Sequence, residues 1–278
     1  MKLFDLSGRV AIVTGGNGGI GLGLAKGLAQ AGASIVVAGR NPDKNARAEA
    51  ELRELGAEAL SMEIDVTQQS SCRAMIKDTV SRFGRLDILV NNVGTNFHKL
   101  PQEYELAEWH LILDTNLTSA FVCSQLAHPE MIKAGGGKII DIGSMMSIFG
   151  APYSTPYAAS KGGMVQMTKA LATSWAEDNI QVNAILPGWI DTELTRKSRQ
   201  KTPLKHEWIK ARTPAGRWGV PEDLVGTAVY LGSAASDFVT GTAIPVDGGY
   251  SIQGFSLKLG ETGAAGVVEE KRIKGVKM

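Results

Sequence analysis

Tyr157 and Lys161 stand four residues apart in Tyr157-Ala-Ala-Ser-Lys161. On a helix this spacing puts both side chains on one face, a turn apart. A phenol beside an ammonium group is an acid that can be tuned. Free tyrosine has a pKa near ~10, so its phenolate is scarce at neutral pH. A positive charge at roughly 4 Å, in an effective dielectric near 20, would favour the phenolate by about 4 kcal/mol before desolvation is counted. Such a pair can protonate a carbonyl oxygen as its carbon receives hydride, and can take the proton back in reverse. The pair needs company, because a chain with five tyrosines produces Tyr-x-x-x-Lys by chance roughly 0.3 times. The company is a glycine-rich turn, Thr14-Gly-Gly-Asn-Gly-Gly-Ile-Gly21, and a serine, Ser144, upstream of the tyrosine.

The elements around the turn suit a bound phosphate. Val10-Ala-Ile-Val13 is an apolar run fit for a strand buried on both faces. Ile20, Leu22, Leu24, Leu28 and Ala31 then follow helical spacing up to Gly32, and Ser34-Ile-Val-Val-Ala38 reads as a second strand. The helix of this βαβ unit offers unpaired N–H groups and the positive end of its dipole to a pyrophosphate. Gly15, Gly19 and Gly21 let the backbone approach the phosphates closely. The spacing is Gly-x3-Gly-x-Gly, distinct from the general Gly-x-Gly-x2-Gly pattern.

Further along, strand-like stretches at 59–66, 86–91, 138–142, 181–186 and 242–246 alternate with helix-like ones at 42–55, 68–83, 104–133, 156–177 and 221–233. Asn41 before Pro42 is a good helix start, and Gly56 a good stop. The alternation predicts an α/β fold: a Rossmann-type, doubly wound, seven-stranded parallel sheet with helices on both faces. One domain over 1–255 is expected, followed by a tail at 256–278, where the chain turns rich in Gly, Lys and Glu.

On these residues the chain resembles the compact form of the short-chain dehydrogenase/reductase family. The motifs are Thr14-Gly…Gly19-Ile-Gly21, Asp65-Val66, Asn91-Asn-Val-Gly94, Asn116, Ser144, Tyr157…Lys161, Pro187-Gly188…Thr192 and Val246-Asp-Gly-Gly249, in that order. Val93 departs from the family's usual alanine. The resemblance implies an oxidoreductase in which Tyr157 is the acid, Lys161 assists it, and Ser144 holds the substrate oxygen. Asn116 would hold a water against the lysine. It also implies that Asp65 and Val66, at the end of the third strand, contact adenine, and that Asn91 and Asn92 sit by the adenosine ribose. The Ile190 backbone and Thr192, after Pro187, would hold the nicotinamide carboxamide. Pro214-Ala-Gly-Arg-Trp-Gly219 and Ala184-Ile-Leu-Pro-Gly-Trp189 look most like gluconate and 2-deoxygluconate ketoreductases, with 3-oxoacyl carrier-protein reductases close by.

Cofactor choice is expected at the end of the second strand, where an acid would bind the ribose hydroxyl and repel a 2′-phosphate. Here Gly39 precedes Arg40 and Asn41. A guanidinium can pair with a phosphate through two charge-assisted hydrogen bonds. NADP(H) is therefore favoured and NAD(H) remains an alternative. Asn17 lies in the glycine turn, within which many NADP users of the family carry a second basic residue, so it tempers this expectation.

The remaining signals narrow the class. A formal net charge of +1 gives no argument for nucleic acid or an anionic membrane. Two cysteines, Cys72 and Cys123, make no disulfide framework. The N-terminus lacks a signal-peptide apolar region, and no apolar run reaches membrane-span length, so a cytoplasmic location is expected. His98, His110, His128 and His206 lack metal-ligand spacing and read as exposed or structural. Met146, Tyr153 and Trp189 are candidate substrate contacts. Between Glu193 and Arg212 a flap carries Arg196, Lys197, Arg199, Lys201, Lys205, Lys210 and Arg212. This basic lid suits an anionic substrate such as a sugar acid, or an acyl carrier's arm; a solvated helical surface is the plainer alternative. Two functions of one class follow, a sugar, sugar-acid or polyol ketoreductase and a 3-oxoacyl thioester reductase. A cofactor-binding regulator without turnover is the alternative of another class. Surplus apolar residues on the two long helices, among them Leu111, Phe121, Val165 and Trp175, lead to the expectation of a homotetramer.

Overall fold

Seven parallel strands form one sheet in the order β3-β2-β1-β4-β5-β6-β7. They are β1 (Val10–Thr14), β2 (Ser34–Gly39), β3 (Ala59–Glu63), β4 (Ile88–Asn91), β5 (Gly137–Ile142), β6 (Ile180–Pro187) and β7 (Ala243–Val246). The structure is a computed structural model and describes residues 2–193, 195–196 and 203–254, with side chains described from residue 206 in the last segment. The tail at 256–278, together with Lys197, Arg199 and Lys201 and the side chain of Lys205 from the expected lid, lies outside the described residues.

The centre of the sheet is buried on both sides, as its largely apolar strands require. Every residue of β1, β4, β5 and β6 is buried. One face is covered by α1 (Gly19–Gln30), α2 (Pro42–Glu54) and the late helix α8 (Val225–Gly232), through Leu24, Leu28, Leu52 and Leu231. The other is covered by α3 (Gln69–Phe83), α5 (Ser119–Lys133) and α6 (Thr155–Trp175), through Met75, Cys123, Met131 and Leu171. Each such fully buried side chain contributes on the order of 1.5–3 kcal/mol relative to exposure. The doubly wound sheet expected from the alternation is the one observed.

Two boundaries differ from expectation. The third strand ends at Glu63, so Asp65 and Val66 lie in the following turn, where Asp65 Oδ1 accepts from Thr67 N and Thr67 Oγ1 at 3.0 and 2.8 Å. The helix expected over 104–133 is instead α4 (Leu106–Leu113), a π-helical turn (Asp114–Thr118) and α5. That turn inserts an extra residue into the helix, and Asn116 sits in it. Strand order reverses between β1 and β4, so the C-terminal ends of these strands flank a crevice open to a ligand.

Candidate active site

Tyr157 rides in the first turn of α6, near the positive end of its dipole. Ser154 precedes the helix but makes no capping hydrogen bond. Its hydroxyl instead meets Asn96 Nδ2 and His98 Nδ1, both at 3.1 Å, which ties the start of α6 to the loop after β4. Lys161, one turn beyond Tyr157, is 3% exposed. Its ammonium donates to the carbonyl of Ile142 at the end of β5, at 2.6 Å, and lies 5.9 Å from the centre of the Tyr157 ring. Ser144, two residues past β5, faces the phenol and accepts from Met146 N at 3.1 Å. Strand β5 and helix α6 therefore bring the acid, the lysine and the serine to one corner.

The electrostatics of this corner differ from the simple expectation. Burial raises the Tyr157 phenol above its ordinary value, and the Ser144 hydroxyl pulls it back in part. The lowering expected from Lys161 does not govern, because the ammonium points to a carbonyl and is itself hard to charge. Burial lowers Lys161 to about 8, opposed by the carboxylate of Asp141. Asp141, fully buried on β5, is raised to about 6 by burial, against hydrogen bonds from Asn91 and Thr168 and the charge of Lys161.

Asn116 is completely buried, and the π-helical turn aims its side chain at the site. Its Oδ1 accepts from Thr95 N at 2.7 Å, and its Nδ2 donates to Thr95 O at 2.9 Å and Ser160 Oγ at 3.1 Å. The amide is thus committed to holding the loop after β4 against α6. Extra residues of this kind in helices gather at functional sites.

The crevice at the end of β1 fits a dinucleotide. Gly18 starts α1 with no side-chain cap, so the first N–H groups of the helix face outward unpartnered by side chains, as an anion requires. Gly15 has φ +64, and a Cβ there would come 2.9 Å from Asn92 Nδ2. That amide donates to Thr14 O at 2.9 Å and Gly15 O at 3.3 Å, tying β4 to the turn. Gly19 has φ +52, and a Cβ on it would touch Thr192 Cγ2 at 3.4 Å, so the loop after Pro187 closes over the turn. Ile190 is 5% exposed and bridges to Gly219. Gly21 is buried and Ile20 packs against the core. Arg40 is exposed next to Asn41, which caps α2 by accepting from Lys44 N at 2.9 Å. Arg40 also helps to lower Asp65, after the hydrogen bonds from Thr67, so the two border the same end of the crevice. Val66 is 7% exposed.

The Asn91 side chain, at the end of β4, is 3% exposed and turns inward, donating to Ser124 Oγ at 3.0 Å and Asp141 Oδ1 at 2.8 Å. These bonds brace β4 against α5 and β5 beneath the site.

Met145, Leu186 and Tyr250 form a buried apolar cluster near the ends of β5 and β6, and of the expected substrate contacts Met146 and Trp189 pack against it together with Phe149. Trp189 stacks edge-on to Trp218 and Tyr250, with centroids 5.7 and 6.4 Å apart. Tyr153 is exposed at the rim. The helix α7 (Pro203–Arg212) follows the lid region. Of the basic residues described there, Arg196 pairs with Asp191 at 2.8 Å and Lys210 with Glu207 at 3.6 Å, while Arg212 lies 4.7 Å from the Tyr250 ring. His128 pairs with Asp178 and stacks on Trp175, a structural role. Among the described residues no group of His, Cys, Asp or Glu could hold a metal ion, and no helix is long and apolar enough to cross a membrane.

Sequence reasoning missed three contributors: Asp141, Ser160 and Asn45. Asp141 had a signal, an acid inside the apolar run Lys138-Ile-Ile-Asp-Ile142. Ser160 and Asn45 had none, since polar residues at such spacing on a helix are ordinary surface residues.

The chain is similar to known proteins over most of its length. The family described as Enoyl-(Acyl carrier protein) reductase matches residues 15–251. The chain is 39% identical to gluconate 5-dehydrogenase of Gluconobacter oxydans over 250 residues, covering 90% of this chain and 97% of that one. It is 41% identical to 2-dehydro-3-deoxy-D-gluconate 5-dehydrogenase of Escherichia coli over 251 residues, covering 90% and 98%. A crystal structure of a gluconate 5-dehydrogenase from Burkholderia cenocepacia, in complex with NADP and tartrate, superposes with a TM-score of 0.86 at 42% identity, covering 90% of this chain and 98% of that one.

Proposed function

Because the chain belongs to the short-chain dehydrogenase/reductase family, we propose that it is an NADP(H)-dependent oxidoreductase acting on a carbonyl or secondary alcohol of a sugar acid or related polyol. What carries this reading is the corner in which Ser144 meets the Tyr157 phenol and the Lys161 ammonium, held on Ile142 O, lies 5.9 Å from the centre of the tyrosine ring. A bound nicotinamide supplies or accepts the hydride. Tyr157 gives a proton to the carbonyl oxygen in reduction and removes it from the alcohol in oxidation. Ser144 holds that oxygen and stabilises the charge developing on it. Lys161, anchored on Ile142 O, places a positive charge under the phenol. Asn116 holds Thr95 and Ser160 in place, and a water against Lys161 would be held from this turn.

NADP(H) is supported by Arg40 beside a crevice with no acid at the end of β2, and by the NADP-bound Burkholderia relative. A sugar-acid substrate is supported by the names of the curated relatives and by the basic residues of the lid region. The 3-oxoacyl thioester reading draws support from the description of the matching family. A homotetramer is supported by Leu106, Leu111, Phe121 and Ile132, all large, apolar and exposed on α4 and α5. A cytoplasmic setting and a single domain over 1–255 complete the reading.

The test is oxidation of NADPH and of NADH against 2- and 5-ketogluconates, ketoses, diketones and acetoacetyl thioesters. Turnover with a ketogluconate and NADPH is expected to exceed the rest. Turnover with the acyl thioester alone would replace the substrate assignment, and none with any carbonyl would overturn the enzyme.

A further inference from the structure

Asn45 is 2% exposed in the first turns of α2, and its amide is fully engaged. Its nitrogen donates to Gly39 O at 2.8 Å and to Met62 O at 2.9 Å, joining the ends of β2 and β3. Both amide hydrogens are thereby committed. Its oxygen can only accept, and it takes a 2.6 Å hydrogen bond from Asn17 Nδ2 in the glycine turn. The direction of the Asn17 amide is therefore imposed from below, with its nitrogen toward β2 and one N–H left over.

Gly39 shows where that nitrogen stands. A Cβ on Gly39 would overlap Asn17 Nδ2 and come within 2.8 Å of Asn45 Oδ1. Position 39 closes β2, the place from which an acidic side chain reads the adenosine 2′ position in NAD-binding folds. The Asn17 amide fills the volume that such a side chain would need.

We propose that Asn17, aimed by Asn45, reads the adenosine 2′ substituent in place of a β2 side chain, offering an N–H donor where an acid would offer an acceptor. The proposal rests on the NADP(H) reading above. A 2′-phosphate accepts a charge-assisted hydrogen bond from that N–H, and a 2′-hydroxyl gains only a neutral one. Arg40, exposed at the next position, supplies charge, and Asn17 supplies direction. Asn45 is a positioning residue that acts through Asn17.

The test is calorimetric titration of the full chain with adenosine 2′,5′-bisphosphate and with adenosine 5′-monophosphate. Asn17→Ala is expected to weaken the bisphosphate about tenfold, the scale of one hydrogen bond to a charged group, and to leave the monophosphate within about twofold. Asn45→Ala should reproduce that selective loss, and the double variant should be no worse than Asn17→Ala alone. If thermal unfolding shows that Asn45→Ala does not fold, Gly39→Ala takes its place, since its methyl group displaces the Asn17 amide and should give the same selective loss. Equal weakening of both ligands by Asn17→Ala, or no weakening, overturns the proposal, as do losses that add in the double variant. Wild-type protein that binds the monophosphate at least as tightly as the bisphosphate overturns the NADP(H) reading itself, and the proposal with it.

Discussion

The buried carboxyl group of Asp141 supports the positive charge of Lys161, and Lys161 in turn favours the Asp141 carboxylate. Asp141 is contributed by β5 and accepts from Thr168 of α6 at 2.8 Å, and Lys161 stands on the same helix one turn beyond Tyr157. Neither charge is cheap there: burial raises the acid to about 6 and lowers the lysine to about 8. Hydrogen bonds from Asn91 and Thr168 and the lysine's charge oppose the shift of the acid, and the acid's charge opposes that of the lysine, so the pair sets how readily the site holds a cation next to the phenol.

Lys161 carries its charge below about pH 8 and loses it above. In kcat/KM, which reports ionisations of the free protein, carbonyl reduction should therefore fall as pH rises through about 8. Asp141→Asn keeps acceptable hydrogen-bond partners, because Thr168 Oγ1 can turn its hydrogen to Met164 O at 2.9 Å. It removes the charge that raises the lysine, so the fall should move to lower pH. An unchanged profile in this variant would show that the carboxylate does not tune the site.

Tyr157→Phe removes one hydroxyl from a half-buried ring and leaves the glycine turn untouched. Turnover should drop at least ~100-fold, the scale of general acid catalysis, with NADPH affinity largely retained. Steady-state rates and a fluorescence titration of NADPH check both halves. Near-normal turnover would remove Tyr157 from the acid's role.

Asn116→Ala should cost stability as well as rate. It strips partners from Thr95 N, Thr95 O and Ser160 Oγ, and unpaired buried groups cost about 1–3 kcal/mol each. A loss of at least about 2 kcal/mol in urea unfolding is expected, with kcat reduced more than KM is raised. Full stability would mean that water replaces the amide without penalty.

Assembly makes the fourth prediction. Leu111 and Phe121 are 46% and 41% exposed on helices that also support the catalytic corner. Light scattering at micromolar concentration should give a mass near four chains, and Leu111→Glu with Phe121→Glu should reduce it. A mass near 29.5 kDa for the unaltered protein would contradict the expected surface.

Much of the site was legible because the chemistry is local in the chain. The spacing of Tyr157 and Lys161, the glycine turn and the helix start at Thr155-Pro156 each depend on neighbours within about one or two helical turns. The alternation of apolar strands with amphipathic helices was equally direct, since a parallel sheet buried on both faces requires it. Where the reading fell short, the cause was distance. The bonds of the Asn91 amide to Ser124 and Asp141 carry no mark in the chain, because those partners come from α5 and β5. The π-helical turn at Asp114–Thr118 has no compositional mark of its own and goes with the packing of α4 and of the turn itself against α6.

The amino-acid order by itself determined the fold class, the one-turn spacing of Tyr157 and Lys161 and the glycine turn after β1, because each rests on periodicity or on backbone freedom at fixed offsets. Tertiary structure alone decided the surroundings of the Tyr157 phenol and the direction of the Asn17 amide. Burial, not the nearby lysine, dominates at Tyr157, and the Asn17 amide is aimed by Asn45, which lies twenty-eight residues away in the chain and 2.6 Å away in space. Desolvation and hydrogen-bond direction are properties of what surrounds a group, and those surroundings exist only once β2, β3 and α2 have come together.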